Sequence, residues 1–518
     1  MRKSWNSVGL FLGIWLVTRI VFFYWFGSRL IFDEASYLYE IKLLSENAIQ
    51  VFSQGPVLYY WVLPFFKLSH PIILSKLPIL LADLVFLFVI YFSLRKHDEK
   101  TAGYASLFYA LAPISLFVSY HVTTDVPALL FTFLSIFFFV RFHTYENKKD
   151  LAWSGVFLLL GGLTKEMDFF LYLFFPIYLL LWHWKVEKVP KRIIYALLGL
   201  IIVTFLIKAG IMAGLWTKNP ARLTSMFFLP FKNGGFLNGG ILYFIMVFFL
   251  FANPIIAVLG YPKIYLFLKN VYNKKVSVRK KDFLSRLRFI SAVVVVFLVL
   301  FFTYFGATDI RYVYFVVPFI GLFAAEPWSR CSYKLKGALI LLALVFQFAL
   351  VIASEKDSQG FDALGQYIDA LPMQVIYTNE PHRTSEHFVP AVVEFKTRKK
   401  LVYLPNEEIP KLSGPIVALS YNRSGLSTLD EAFQKQGVVY DKVTFVVSDY
   451  ERSVYGIGQG VSLPKPSETG FSSFFQQPLR TSPEEALYRY MIYAKRNFCA
   501  VPKDQRGWFK SRACSWGE

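Results

Sequence analysis

Long apolar runs, parted at intervals by short polar or basic stretches, fill the chain from Val8 to about Ser354. The first, Val8 to Phe26, is interrupted only by Thr18 and Arg19 among apolar and aromatic residues. A bilayer core takes about 20 helical residues to cross, and about eleven runs approach or exceed that length. The pattern therefore predicts a polytopic α-helical membrane protein with about 11 transmembrane helices. Met1-Arg2-Lys3 before an apolar run mimics a signal peptide. That run is long, and no small-residue cleavage site precedes Asp33, so it reads as an uncleaved first span.

The pattern changes near Ser354. Beyond it, brief apolar runs at Val375–Tyr377, Leu401–Tyr403, Ile416–Leu419 and Val443–Val447 read as strands between turn residues. Thr428-Leu-Asp-Glu431 forms a capping box that opens a helix, and Ser482-Pro-Glu-Glu485 opens another. Gly456–Gln477, rich in Gly, Ser and Pro, reads as irregular. Two domains follow: a membrane domain over 1–353, whose first outward loop is 27–70, and a C-terminal extracytoplasmic α/β domain over 354–518.

Composition sharpens the class. Hydrophobic residues make up 55% of the 518, aromatics 19%, and the mean hydropathy is +0.44, which excludes an ordinary soluble protein. The net charge of +20 would suit nucleic acid, but the basic residues crowd alternate loops, so membrane topology accounts for them. Lys263 to Arg288 holds nine Lys or Arg against the single acid Asp282. The positive-inside rule places this loop and the N-terminus in the cytoplasm of a plasma or inner membrane. An odd number of spans then leaves the C-terminal domain outside. Cys499 and Cys514 lie in that domain, where a disulfide is permitted; no metal-ligand spacing is present.

The ionisable residues on the outward side carry the chemistry. Asp33-Glu34 lies where the first span leaves the bilayer, and carboxylates there either begin a solvated helix or serve a site. Gly55-Pro-Val-Leu-Tyr-Tyr-Trp61 opens an apolar helix whose Tyr59 and Tyr60 belong to an interfacial aromatic belt or line a substrate path. Tyr120-His-Val-Thr-Thr-Asp125 turns between two spans, so that Asp125, ahead of Pro127, caps the next helix or serves a site. Lys165, after Gly161-Gly-Leu-Thr, and Arg311-Tyr312 either snorkel or meet an anion. Arg19, half-way along its span, needs an acid or a bound phosphate as partner.

The order of these motifs along the chain resembles one family. Asp33-Glu34, Gly55-Pro-Val-Leu-Tyr-Tyr60, Lys76-Leu-Pro-Ile-Leu-Leu-Ala-Asp83, Ala112-Pro-Ile-Ser115, Thr124-Asp125, Gly162-Leu-Thr-Lys165, and Arg311-Tyr312 with Pro318 succeed one another over residues 8–330. This is similar to the polyprenyl-phosphate-sugar glycosyltransferases of the GT-C superfold, in their protein O-mannosyltransferase and aminoarabinose-transferase branch. The resemblance implies an inverting transfer from a polyprenyl-phosphate-linked sugar to the hydroxyl of an extracytoplasmic protein, lipid or glycan. It implies Asp33, with Glu34 beside it, as base, and Asp125 as a second acid. It further implies Lys165, Arg311 and Arg19 at the donor phosphate, and Tyr59, Tyr60, His121 and Tyr312 lining the substrate. It implies neither metal nor other cofactor.

Two rival readings remain. A transporter or lipid flippase would also explain many spans with internal charges, but it predicts midplane sites and repeated halves, and the chain shows no repeat. A non-catalytic assembly protein would leave the arrangement of loop acids and cations without a role.

Overall fold

The computed structural model describes residues 2–28, 30, 32–47, 55–68, 70–165, 169–216, 248–273, 282–305 and 310–355, and further on 359–371, 373–379, 393, 395–413, 416–422, 428–437, 440–447 and 488–495. The described residues of 1–28 and 40–352 form one compact unit, and those of 29–39, 353–457 and 466–518 another.

The first unit is helical. Among the described residues, six helical stretches are long and apolar enough to cross a bilayer: Val8–Phe26, Pro71–Arg95, Asp125–Tyr145, Lys191–Ile211, Phe283–Leu300 and Tyr333–Ile352. A bent pair, Glu99–Leu111 with Pro113–Ser119, makes up to seven. The sequence pattern counted about eleven runs. Part of the difference is length: Lys148–Gly162 has 15 residues and Phe169–Lys185 has 17. Fifteen residues rise about 22 Å as a helix, less than a bilayer core. The sequence pattern also places a span between Phe236 and Lys263, whose first residues, up to 247, lie outside the described residues.

Here α1 is Arg2–Phe26, α2 Phe32–Ser45, α3 Pro56–Phe66, α4 Pro71–Leu74, α5 Leu77–Arg95, α6 Glu99–Leu111, α7 Pro113–Ser119, α8 Asp125–Tyr145 and α9 Lys148–Gly162. The break between α6 and α7, bent by 66°, is written in Ala112-Pro113. Proline has no N–H to continue the ladder and pushes the preceding residue out of the helical region; Ala112 sits at φ −71°, ψ 126°. Backbone groups freed inside a bilayer must find partners within the protein. They do: Arg19 donates to the Ala110 carbonyl at 2.9 Å, and Gln347 donates to the carbonyls of Ala110 and Ala112 at 3.0 and 3.1 Å. Asn253 donates to the Leu111 carbonyl at 3.2 Å, and the Ile114 amide donates to the Phe251 carbonyl at 3.2 Å. Polar residues on three distant segments are thus committed to one broken helix.

Among its described residues the second unit holds a five-stranded mixed sheet. Its strands are β1 Val375–Thr378, β2 Lys400–Tyr403, β3 Val417–Asn422, β4 Tyr440–Val447 and β5 Tyr488–Lys495, in the order β2-β1-β3-β5-β4. β1 pairs parallel with β2 and β3, whereas β5 runs antiparallel between β3 and β4. The helix Thr428–Lys435 starts at the Thr of the capping box and, through Leu429 and Phe433, packs with Ile409, Ile416 and Ala418. The sequence reading anticipated the first four strands but not β5, whose run Tyr-Arg-Tyr-Met-Ile-Tyr-Ala-Lys alternates poorly. Ser482–Glu485, Gly456–Gln477, Cys499 and Cys514 lie outside the described residues.

Candidate active site

The site begins with the hairpin of α8 and α9. Glu146 ends α8 in the left-handed region at φ 56°, its amide donating to the Phe142 carbonyl at 2.7 Å, and Asn147 caps α9. The chain therefore turns back at once. Ser135 and Ser154 clasp the two helices midway, each hydroxyl donating to the other's carbonyl at 3.0 Å. Antiparallel pairing brings the start of α8 beside the end of α9, and so Asp125 beside Lys165.

Asp125 is the first residue of α8, and Lys165 follows the last turn of α9, its amide donating to the Gly161 carbonyl at 2.9 Å. A carboxylate at a helix N-terminus and a cation at a C-terminus both match the helix dipole. The ammonium donates to Asp125 Oδ1 in a close ion pair, and both side chains are buried. Lys165 Nζ also stands 5.6 Å from the centroid of the Phe315 ring. Asp125 was read either as a cap or as a functional acid. The helix cap residue is Thr124, which makes no side-chain cap bond, so the carboxylate of Asp125 is directed to cations instead.

Arg311 completes the cluster. It lies on a short 3-10 helix, Ile310–Phe315, is buried, and brings Nη1 to 4.0 Å from Asp125 Oδ2. Oδ2 itself accepts no hydrogen bond among the described residues. A buried carboxylate oxygen without a donor is costly, and such an oxygen is where a ligand or water belongs.

The Gly55-Pro56 motif also acts here. The amide of Val57 donates to the Leu163 carbonyl at 3.2 Å, and a Cβ on Gly55 would overlap that carbonyl and the Thr164 amide. Only glycine lets α3 approach the segment that presents Lys165. On α3, Tyr59 is buried and Tyr60 is 55% exposed, while His121 is buried with its ring 5.0 Å from Phe117 and 4.5 Å from Tyr120.

Asp33 and Glu34 stand in the first turn of α2, which has an acid-rich start as expected, and Glu34 is buried. The side chains of Asp33 and Tyr312 lie outside the described residues, as do Glu166, Asp168 and Asp309.

Arg19 has a different setting from Lys165 and Arg311. Its Nε donates to Asp83 Oδ2 at 3.2 Å, Nη1 to Thr18 and Ala110 at 3.1 and 2.9 Å, and Nη2 to Ser115 at 2.9 Å. Every nitrogen of the guanidinium is engaged. Of the two partners foreseen for Arg19, an acid or a phosphate, the structure supplies the acid. Asp83 in turn accepts from Trp15 Nε1 at 2.6 Å and from Tyr109, whose hydroxyl is 2.5 Å from that of Tyr314. Asp83 was visible in the sequence as an intramembrane charge. Tyr109, Tyr314, Gln347 and Asn253 carried no signal that set them apart from other polar residues.

Among the described residues no three His, Cys, Asp or Glu side chains converge on a metal position. The arrangement offers instead two buried cations about one buried acid, at one end of a helical bundle.

The fold that carries this cluster is similar to known structures. The description dolichyl-phosphate-mannose-protein mannosyltransferase belongs to the family model that matches residues 53–208, a stretch holding Gly55, Asp83, Asp125 and Lys165. The crystal structure of ArnT from Cupriavidus metallidurans bound to undecaprenyl phosphate superposes with a TM-score of 0.57 at 12% identity, covering 86% of this chain and 95% of that one. Its apo form gives 0.54 and 12%, covering 86% and 96%. No curated protein matches the chain. The chain has the GT-C fold of these ArnT structures, and that likeness in fold covers 86% of its length. Its apolar helices make it an integral membrane protein.

Proposed function

We propose that the protein is an inverting glycosyltransferase that moves a sugar from a polyprenyl-phosphate donor to an extracytoplasmic hydroxyl. The observation that carries this is the buried Lys165–Asp125–Arg311 cluster on a GT-C fold. The family match over residues 53–208 and the lipid phosphate held by the similar ArnT structure support it.

Lys165 and Arg311 receive the donor phosphate, and their charge offsets the negative charge that grows on it as its bond to the sugar breaks. Asp125 holds the two cations in place before the donor arrives. The acceptor oxygen attacks the anomeric carbon opposite the phosphate, and its proton passes to a carboxylate of the Asp33-Glu34 pair. The phosphate departs with the electron pair of the broken bond. One base and no covalent intermediate invert the anomeric centre. Tyr59, Tyr60, His121 and Tyr312 line the acceptor or sugar side. The site faces the outside of a plasma or inner membrane, the N-terminus lies in the cytoplasm, and the acceptor is a protein, a lipid or a glycan.

The test is transfer of label from a panel of polyprenyl-phosphate sugars, in membranes carrying the wild type or Asp33→Asn. Wild-type-only transfer is expected, and the product's chemistry names the acceptor. Equal transfer by folded Asp33→Asn would remove Asp33 as base. No transfer from any donor by either protein would instead favour transport, to be pursued by flux measurements.

A further inference from the structure

A second site lies at the opposite end of the same helices. α8 runs from Asp125 to Tyr145, so Arg141 stands 16 residues, or about 24 Å, along it from Asp125. α5 packs beside α8 and ends at Arg95. Between the two is a groove of about 640 Å³, walled by Phe88, Phe92, Leu134 and Phe138, with Lys96, His97 and Arg141 at its mouth. That volume is within the roughly 300–1,000 Å³ of small-ligand sites.

The groove is apolar along its length and cationic at one end only. Phe92 is 56% exposed, so the wall opens to the lipid rather than into the bundle. Arg141 lies 5.7 Å from the ring centroids of Phe137 and Phe138, and meets Asp150 at 3.4 Å. His97 stacks on Phe283 at 4.1 Å; burial, aided by Arg141 and Lys96 and opposed by Asp282, holds its imidazole below the ordinary pKa, so it is neutral at pH 7. Lys96 and Arg141 are the cations of the mouth, answered in part by Asp150 against Arg141 and by Asp282 near His97. Basic residues at this end mark the cytoplasmic side by the positive-inside rule, where anionic lipids concentrate.

We propose that this groove binds an anionic glycerophospholipid of the cytoplasmic leaflet, its acyl chain along Phe88 and Phe92 and its phosphate between Lys96 and Arg141. The chemistry needed is one long apolar chain joined to one anionic head at the interface, which the groove matches at both ends. A zwitterionic lipid would place an ammonium beside the same two cations.

The experiment uses the full-length protein in nanodiscs doped with a photoactivatable phosphatidylglycerol, or with phosphatidylcholine bearing the same acyl probe. Labelled peptides are mapped by mass spectrometry. Phosphatidylglycerol should label the peptides of Phe88–Phe92 and Phe138 at least several-fold more than phosphatidylcholine does. Lys96→Gln with Arg141→Gln should weaken that labelling roughly 20-fold. Val89→Trp, which fills the groove and keeps both cations, should abolish it, so a misfolded charge variant cannot decide the matter alone. Equal labelling by the two lipids, or labelling that survives in both folded variants, would overturn the proposal.

Discussion

Asp83→Ala tests whether the buried network around Arg19 is a structural lock. Asp83 and Arg19 are fully buried, and removing the carboxylate leaves the guanidinium without its counter-ion. Loss of one partner of a buried pair costs about 3–5 kcal/mol. Arg19 keeps Ala110, Ser115 and Thr18 as acceptors, which argues for the lower end of that range. Trp15 loses its acceptor as well, while Tyr109 retains Tyr314, adding about 1 kcal/mol. The total is about 4 kcal/mol, or roughly 8 °C at the ~2 °C per kcal/mol of a large chain. Thermal melts of the purified protein in detergent, followed by circular dichroism, measure it. The double variant Asp83→Leu, Arg19→Met should recover most of the loss, because apolar replacements of similar volume leave no buried charge and Gln347 still serves the Ala110 carbonyl. An alanine variant melting within about 1 °C of the wild type would refute the lock. So would a double variant no more stable than the single one.

At the site itself, Lys165→Ala and Arg311→Ala should each raise the donor KM about 10- to 100-fold, the loss of one charge-assisted bond, and unchanged donor dependence in both would take them out of the phosphate site. Gly55→Ala forces a methyl into the Leu163 carbonyl, so a cost of about 1–3 kcal/mol is expected, read as a lowered melting temperature together with weaker donor use. Tyr109→Phe removes the hydroxyl that holds Tyr314, three residues beyond Arg311 on the same short helix. It should raise the donor KM several-fold and lower Tm by about 2–4 °C, and a shift in Tm with an unchanged KM would confine Tyr109 to the lock.

What the sequence made legible follows from spacing. Helices α8 and α9 were marked by apolar runs around a short basic turn, and once they are read as neighbours, Asp125 and Lys165 must meet, since antiparallel pairing brings the start of one to the end of the other. Arg311 was set beside them by motif order alone. What spacing cannot give is which of two polar partners a buried side chain takes. On sequence grounds Arg19 needed an acid or a phosphate as partner; the decision comes from α5, 64 residues away, placing Asp83 against it. The short helix α9 was likewise visible as a short run, yet its 15 residues say nothing of how Lys165 is held. That depends on Gly55, whose need for glycine arises from a contact 108 residues away along the chain.

The two polar clusters are not independent. Tyr314 belongs to the network of Asp83, and Arg311 to that of Asp125, but both stand on the turn Ile310–Phe315, three residues apart. A 3-10 helix repeats every three residues, so the two side chains share one face, and fixing one fixes the rotation of the other. The chain from Arg19 through Asp83, Tyr109 and Tyr314 therefore orients the segment that presents Arg311. Charges buried at cost in the bundle act at a distance: they rigidify the frame against which Arg311, the cation proposed to meet the phosphate, is set. A site that must stabilise charge only as it develops gains from such fixed donors, since nothing has to reorganise when the bond breaks. The broken helix adds to this. Beyond its bend at Ala112-Pro113 stands Ser115, so the proline that interrupts the backbone ladder also sets the segment whose hydroxyl accepts from Arg19 Nη2 at 2.9 Å.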